Sequence, residues 1–483
     1  MTVSDPPQAR QGLLLSSSRS IEVLEALGVP YEFSAGGLEP RLTRLERASG
    51  GPALLWLKGA AGMRGAYRLG RTPLLTGLMP DEEADCLLDA TGLAWRRELD
   101  IFDAEGRVVA AIRRADDGSI FLPFDPDDAA GTVLREAYLE LTTPKITRKT
   151  RTLARAAYYR LRPLLPRGVQ MALRRRFARV QDRAAFPRWP VETALHDLYD
   201  LMLRLVDEIA GAPVPRLASW PGGKSWAFVL THDVETASGY KRIQAVLDAE
   251  VRQGFRSAWF FVPERDYRVE DEQVARLAEQ GCEVGIHGLR HDGRDLASDE
   301  LRLRLPAMHA WAERWGASGF RAPATQRRWE LMPRLGFDYD SSYSDVARYE
   351  PQAGGSCSWL PFFIDDLVEL PITLPMDHTL FEVLGHADGS AWHEKAAFMR
   401  DRGGMALLLT HPDYLNDARL REYERFLEEF AGDENAWCVL PHEVSAWWRR
   451  RAASRVVPGA AGWTVEGPAA REARIKLGAP VWV

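Results

Sequence analysis

The second half of the chain alternates short apolar runs with stretches of helical spacing. The runs are Ala227–Thr231, Ala258–Val262, Cys282–Ile286, Gly319–Arg321, Asp338–Asp340, Leu367–Ile372, Met405–Thr410 and Trp437–Leu440. Short apolar runs bounded by polar residues and glycine predict buried strands. Between most of them apolar positions recur at helical spacing, over Lys241–Gln253, Glu272–Gln280, Asp299–Trp315, Trp392–Arg402 and Ala418–Phe430. About seven or eight strands alternating with helices is the rhythm of an α/β fold, and the expectation is a distorted (β/α) barrel of about seven strands.

The rest of the chain divides by composition. Residues 1–144 read as a smaller α/β domain of unassigned role. Its apolar runs Ala53–Leu57 and Val108–Ile112 predict strands. Ser20–Leu27 predicts a helix with Ser20 as N-cap and Gly28 as its stop. The acidic run Asp81, Glu82, Glu83 and Asp85 predicts a solvated helix start. Residues 145–190 form a basic helical segment. Over 145–188, two lysines and twelve arginines face one acid, Asp182, a net +13 in a chain whose net charge is −6. Pro163, Pro166 and Gly168 divide it into two short amphipathic helices. Such helices either contact an anionic membrane surface or lie solvated between domains. Residues 191–221 hold a helix around Glu192–Ile209 and a Pro/Gly-rich linker, 222–452 the barrel, and 453–483 a C-terminal appendage.

Composition removes several classes of function. Apolar residues at 46% and charged residues at 27% exclude a mainly disordered chain. Four cysteines without a CxxC pair give no support to a disulfide framework or a thiolate zinc site. No basic n-region followed by an apolar run opens the sequence, and no stretch reaches the roughly 18 apolar residues of a membrane span. The expected compartment is therefore the cytoplasm, with peripheral membrane contact through 145–188 as the one departure. The acidic net charge gives no support to nucleic-acid binding. Gly223–Ser225 reads GKS, but Ala218 stands where a phosphate loop needs glycine and a strand follows, which argues against nucleotide binding.

In a barrel of this kind, chemistry sits where strands end and loops begin. The first run ends in His232, Asp233, Val234 and Glu235, with the two carboxylates two apart on one face of an extended strand. The third ends in His287–Gly288–Leu289–Arg290–His291. Histidines at i and i+4 converge on one metal if the backbone turns helically there. The others end in Arg321–Ala322–Pro323, in Tyr339–Asp340–Ser341–Ser342 and in His411–Pro412–Asp413. Each cluster alone has a plain structural reading. Their coincidence on five strands of one stretch is the signal. His378, after a predicted strand, and Tyr414, beside His411, are candidates for the substrate cleft. His196, His309, His386, His393 and His442 read as structural.

Read in order, these clusters resemble the polysaccharide deacetylases, the NodB-like carbohydrate esterases. The resemblance runs from about Ser225 to Arg451. That family carries TFDD, H(S/T)xxH, RxP, a DSS-like segment and LxH. Here the counterparts are Thr231–Glu235, His287–His291, Arg321–Pro323, Tyr339–Ser342 and Leu409–His411, with ELPIT at Glu369–Thr373 between the last two. The resemblance implies removal of N-acetyl (N-acyl) groups from an amino sugar in a saccharide or glycoconjugate. It implies a divalent metal on Glu235, His287 and His291, with Asp233 as base, Arg321 paired with Asp233, and His411 as acid. Pro323, Tyr339 and Asp340 would lie at the substrate. The nitrogen and oxygen ligands suit zinc, and cobalt, nickel and iron fit as well. Two departures stand out. The adjacent aspartate pair becomes Asp–Val–Glu, as in a branch of the family, so the roles of Asp233 and Glu235 can be exchanged. Gly288 replaces the usual hydroxyl residue. Hydrolysis of a non-sugar amide, or saccharide binding without turnover, are the alternatives.

Overall fold

The leading strand is longer than its apolar run. It spans Trp226–Val234, nine residues that are all buried, and so carries Asp233 at its end into the interior. The structure is a computed structural model, and it describes residues 12–17, 19–34, 41–59, 62–142, 166–459 and 462–479. They fall in two compact units. One holds Met1–Lys145, Thr193–Gly222 and Arg450–Val483, and the other Ile146–Glu192 and Gly223–Arg449.

In the second unit the strands are β1 (Trp226–Val234), β2 (Ser257–Phe261), β3 (Glu283–Ile286), β4 (Gly319–Phe320), β5 (Tyr339–Asp340), β6 (Phe362–Ile364), β7 (Leu367–Glu369), β8 (Met405–Thr410) and β9 (Ala436–Cys438). They pair in the order β6-β7-β5-β4-β3-β2-β1-β8, with β9 also on β1. Every pairing is parallel except the β6–β7 hairpin. Helices α1 (Ala237–Arg252), α2 (Asp271–Glu279), α3 (Ser298–Trp315), α4 (Ser390–Arg402) and α5 (Asp417–Phe430) intervene. Strands β1, β2, β3 and β8 are buried throughout, which is why they read as continuous apolar runs rather than alternating ones. Two helices start on side chains that accept from their first free N–H groups: Thr236 caps α1 and Asn416 caps α5.

The strand path is open. Among the described residues no ladder joins β7 to β8, so a closed seven-stranded barrel is not what the pairing describes. The gap is spanned by Thr373. Its hydroxyl donates to the Met405 carbonyl (2.6 Å) and accepts from Leu407 N–H (2.8 Å). Thr373 and Leu374 N–H groups reach the Leu407 carbonyl at 3.2 and 3.0 Å. Parallel pairing points the C-terminal ends of β1, β3, β4, β5 and β8 to one side, which gathers the polar clusters there.

The first unit has a nine-stranded mixed sheet. Its order is Glu32–Phe33, Leu13–Ser16, Leu42–Arg47, Ala53–Leu57, Ile120–Leu122, Val108–Ala115, Trp95–Phe102, Met63–Leu69 and Thr72–Leu78. The helix Ala194–Ala210 packs on Leu42–Arg47 and Ala53–Leu57 through a buried face that includes Leu195, Met202 and Val206. The segment 191–221 and the tail 453–483 look separate in sequence, yet most of both belongs to this unit. Pro215–Leu217 pairs with Ile475–Leu477, and Arg455–Gly459 with Gly462–Glu466. The short helix is Glu22–Leu27 with Ile21, not Ser20, at its cap. The reason is long-range: the Asp127 carboxylate accepts from Glu22 and Val23 N–H at 3.1 and 2.9 Å, so no local cap is needed. Gly28 ends it in the left-handed conformation as expected. The acidic run opens the helix Asp81–Asp89. Of the basic segment, residues 145–165 lie outside the described residues, and the helix Arg167–Gln181 within them. No described helix is long and apolar enough to cross a membrane.

Candidate active site

Alternation along β1 sorts its last residues. Thr231 and Asp233 point to Arg321, whose Nη1 donates to Thr231 Oγ1 and Asp233 Oδ1, both at 3.0 Å. His232 points the other way, with Nε2 at 2.6 Å from Glu250 Oε1 and Nδ1 at 2.8 Å from Thr410 Oγ1. Glu235 returns to the face of Asp233, so Asp–x–Glu places two carboxylates together and leaves Val234 buried on the opposite side.

Glu235 Oε1 lies 2.8 Å from His291 Nε2 and 3.7 Å from His287 Nε2. Asp233 Oδ2 lies 3.5 Å from His287 Nε2. The donor atoms of Glu235, His287 and His291 all fall within 4.8 Å of one another. His287 Nδ1 donates to the Arg321 carbonyl at 3.0 Å, which leaves the lone pair on Nε2. That Nε2 is buried and has no hydrogen-bond partner. A lone pair held between two carboxylates is a poor arrangement by itself and a good one around a cation, so these residues fit a divalent metal. Burial would raise the Glu235 carboxyl, but His291 beside it holds it well below the usual carboxylate range.

The loop between the two histidines depends on Gly288. Gly288 has φ +63°, and a Cβ there would sit 2.6 Å from Pro323 Cγ and 2.4 Å from Asp295 Oδ2. The hydroxyl residue common in the resembling family therefore has no room. Pro323 packs on this loop, and Arg304 anchors it through Asp292 and Asp295 at 2.7 and 2.8 Å. His291 is also left-handed, with φ +53°. Gly288→Ser should lower stability by about 1–3 kcal/mol, the usual size of such backbone strain, as read by urea unfolding. Unchanged stability would show that the loop adapts.

Arg321 is fully buried and held on all sides. Nε donates to the Ser341 carbonyl and Nη2 to Ser341 Oγ, both at 2.8 Å, and the guanidinium lies over Phe260. Across the site, His411 Nε2 lies 3.7 Å from Glu235 Oε1. Its Nδ1 meets Asp377 Oδ1 at 2.7 Å, and Asp377 Oδ2 accepts the His411 backbone N–H at 2.7 Å. Burial disfavours the imidazolium, but the Asp377 carboxylate overrides it and pushes His411 up to about 10. The sequence reading missed Asp377. Its signal was the carboxylate directly before His378 in PMDHTLF, at the end of a strand-like run.

The remaining candidates divide. His378 starts a helix, His378–Leu384, and its ring lies 5.0 Å from that of Tyr414, which is 5.4 Å from His411. Burial, aided by the charge on His411, lowers His378 to about 4. Both rings thus lie beside His411. Tyr339 and Asp340 do not. Tyr339 is fully buried and donates to Glu283 Oε1 at 2.6 Å. Asp340 is fully buried beside Glu369; burial raises Asp340, and burial together with the Asp340 carboxylate raises Glu369 well above its ordinary range. Both carboxyls receive the Ser342 N–H at 3.1 Å. Ser342 Oγ in turn accepts from Ala322 N–H beside Arg321, so the motif buttresses the arginine rather than meeting substrate.

No protein-family model and no curated protein sequence matches the chain. Solved structures do. A Mycobacterium smegmatis protein named as a polysaccharide deacetylase is 22% identical, with TM-score 0.39 over 48% of this chain and 93% of that one. A Pseudomonas aeruginosa protein named likewise is 18% identical, with TM-score 0.39 over 48% and 93%. The Puue allantoinase is 18% identical, with TM-score 0.38 over 48% and 92%.

Proposed function

We propose that the second unit is a metal-dependent hydrolase that removes N-acetyl groups from an amino sugar in a saccharide or glycoconjugate, on an incompletely closed (β/α) barrel of the polysaccharide-deacetylase type. The observation that carries this is the unpartnered, buried His287 Nε2 between Glu235 and Asp233, faced by the Asp377–His411 pair. Glu235, His287 and His291 would hold the cation, with zinc the first choice and cobalt, nickel or iron able to substitute. When bound, it supplies a water acidic enough to ionise near neutral pH and a Lewis acid for the acyl oxygen.

The residues of the chain do the rest. Asp233, oriented by Arg321, takes the proton of the attacking water. The water oxygen adds to the acyl carbon, and the amide C–N bond breaks when that tetrahedral adduct collapses. His411 delivers the Nε2 proton to the departing nitrogen, and Asp377 keeps the remaining Nδ1–H in place. Acetate and a free amine leave. His378 and Tyr414 present ring edges and faces at the rim, where a sugar ring can rest.

Metal analysis of the purified chain, with acetate release from a panel of N-acetylated sugars and oligosaccharides, tests this reading. Near-stoichiometric metal is expected, with turnover that a chelator abolishes and the metal restores. Release only from non-sugar amides would move the substrate class. Absence of both metal and turnover after supplementation would leave a saccharide-binding barrel without chemistry.

A further inference from the structure

The helix Arg167–Gln181 presents two different faces. One is anchored. Met171 and Ala178 pack with Val383, Leu384, Trp189 and Tyr349. Arg175 Nε donates to the Glu382 carbonyl at 2.8 Å, and Gln181 Nε2 to the Glu350 carbonyl at 3.1 Å. The face turned away from these contacts is apolar as well. Val169, Leu173, Phe177 and Val180 fall within an arc of about 80° at 100° per residue. They are 44, 44, 39 and 45% exposed, so four large apolar side chains in line lie open to solvent. The exposed side chains of Arg176 and Arg183 border this stripe along one edge.

We propose that this face docks the protein on an anionic lipid bilayer. The stripe is one helix wide. A stable protein interface asks for roughly 20 residues a side, far more than this face offers. An interfacial helix asks only for an apolar face and a cationic border, both of which are present. The charge supports the same occupant, because the stripe lies within a segment of net +13 in a chain of net −6. Each arginine near an anionic surface contributes roughly fivefold to partitioning, and phospholipid headgroups supply that surface at high density. The anchored face meets the helix His378–Leu384, which starts at the rim of the proposed active site. Docking would thus place one wall of that site close to the lipid surface. The inference does not depend on the deacetylase reading.

The test is co-sedimentation of the full chain with phosphatidylcholine vesicles with and without phosphatidylglycerol. Binding is expected only with phosphatidylglycerol, and molar salt should release it. Arg176→Glu with Arg183→Glu should weaken partitioning by at least about 25-fold. Leu173→Glu with Phe177→Glu should abolish it, while both proteins keep the wild-type unfolding temperature because the altered side chains are exposed. No binding of the wild type to either vesicle would overturn the proposal. So would binding that neither pair of substitutions changes. Self-association lost in the Leu173, Phe177 variant, without vesicle binding, would assign the face to a second copy instead. If the apolar variant fails to fold, the arginine pair and the salt series still decide.

Discussion

The Asp233→Asn protein should keep its metal and lose about 10²–10⁴-fold in kcat, the usual worth of a positioned general base. The two halves of that expectation have separate causes. The asparagine matches the aspartate in shape and can still accept the Arg321 hydrogen bond that is 3.0 Å long in the wild type. Its amide cannot take a proton from water. The proposed metal ligands are untouched: Glu235 lies within reach of both histidines, at 2.8 Å from His291 and 3.7 Å from His287, whereas Asp233 approaches His287 alone, at 3.5 Å. Glu235→Ala should do the reverse and purify without metal. Mass spectrometry for metal and initial rates for acetate release, run on both proteins, separate the roles. Metal lost from Asp233→Asn and retained in Glu235→Ala would exchange the two assignments. Full activity in Asp233→Asn would remove Asp233 from the chemistry altogether.

That the roles can be posed so sharply follows from what the sequence already displays. Strands buried on both faces are written as continuous apolar runs, so β1, β2, β3 and β8 are legible, and the polar residue that ends each is legible with them. Asp233, Glu235, His287, His291 and His411 are found in this way, Arg321 after the short run of β4 joins them, and the structure brings them to one place. Direction within the shortest strands is not legible. β5 has two residues, and nothing in YDSS shows that Tyr339 turns to Glu283 and Asp340 to Glu369 instead of to the cleft. Pairings between distant segments are equally silent. The joining of Pro215–Leu217 to Ile475–Leu477 spans more than half the chain, and no local period reports it. The same limit hides Asp127 as the distant partner of the helix at Glu22, and Thr373 as the bridge between β7 and β8. Gly288 is the opposite case. In sequence it reads as a lost hydroxyl, and in three dimensions it is a position where Pro323 leaves no room for one.

Asp377→Asn should lower kcat by about 10²–10³-fold with little change in KM, although Asp377 touches neither substrate nor the ligand cluster. Its carboxylate fixes both the ring and the backbone of His411, at 2.7 Å each. An asparagine offers one acceptor where two are used, so the ring loses its fixed tautomer. The pH dependence gives a readout that loss of packing alone would not produce. His411 acts as the acid in its protonated form. With its pKa raised to about 10, activity should hold through neutral pH and fall as pH rises through that region. A bound cation near Glu235 opposes the shift in wild type and variant alike, so the comparison between them is what counts. Without the Asp377 charge, burial acts unopposed and the falling limb should move to lower pH, toward the ordinary histidine value of about 6.5 or below it. The stability side has the same sign. Protonated His411 stabilises the fold fully below about pH 6.5, and that contribution fades as pH rises through its folded value. Asp377→Glu keeps the charge and should hold the limb near the wild-type position even if geometry costs rate. A limb that stays in place in Asp377→Asn would mean that another group sets it, and that His411 is not the proton donor.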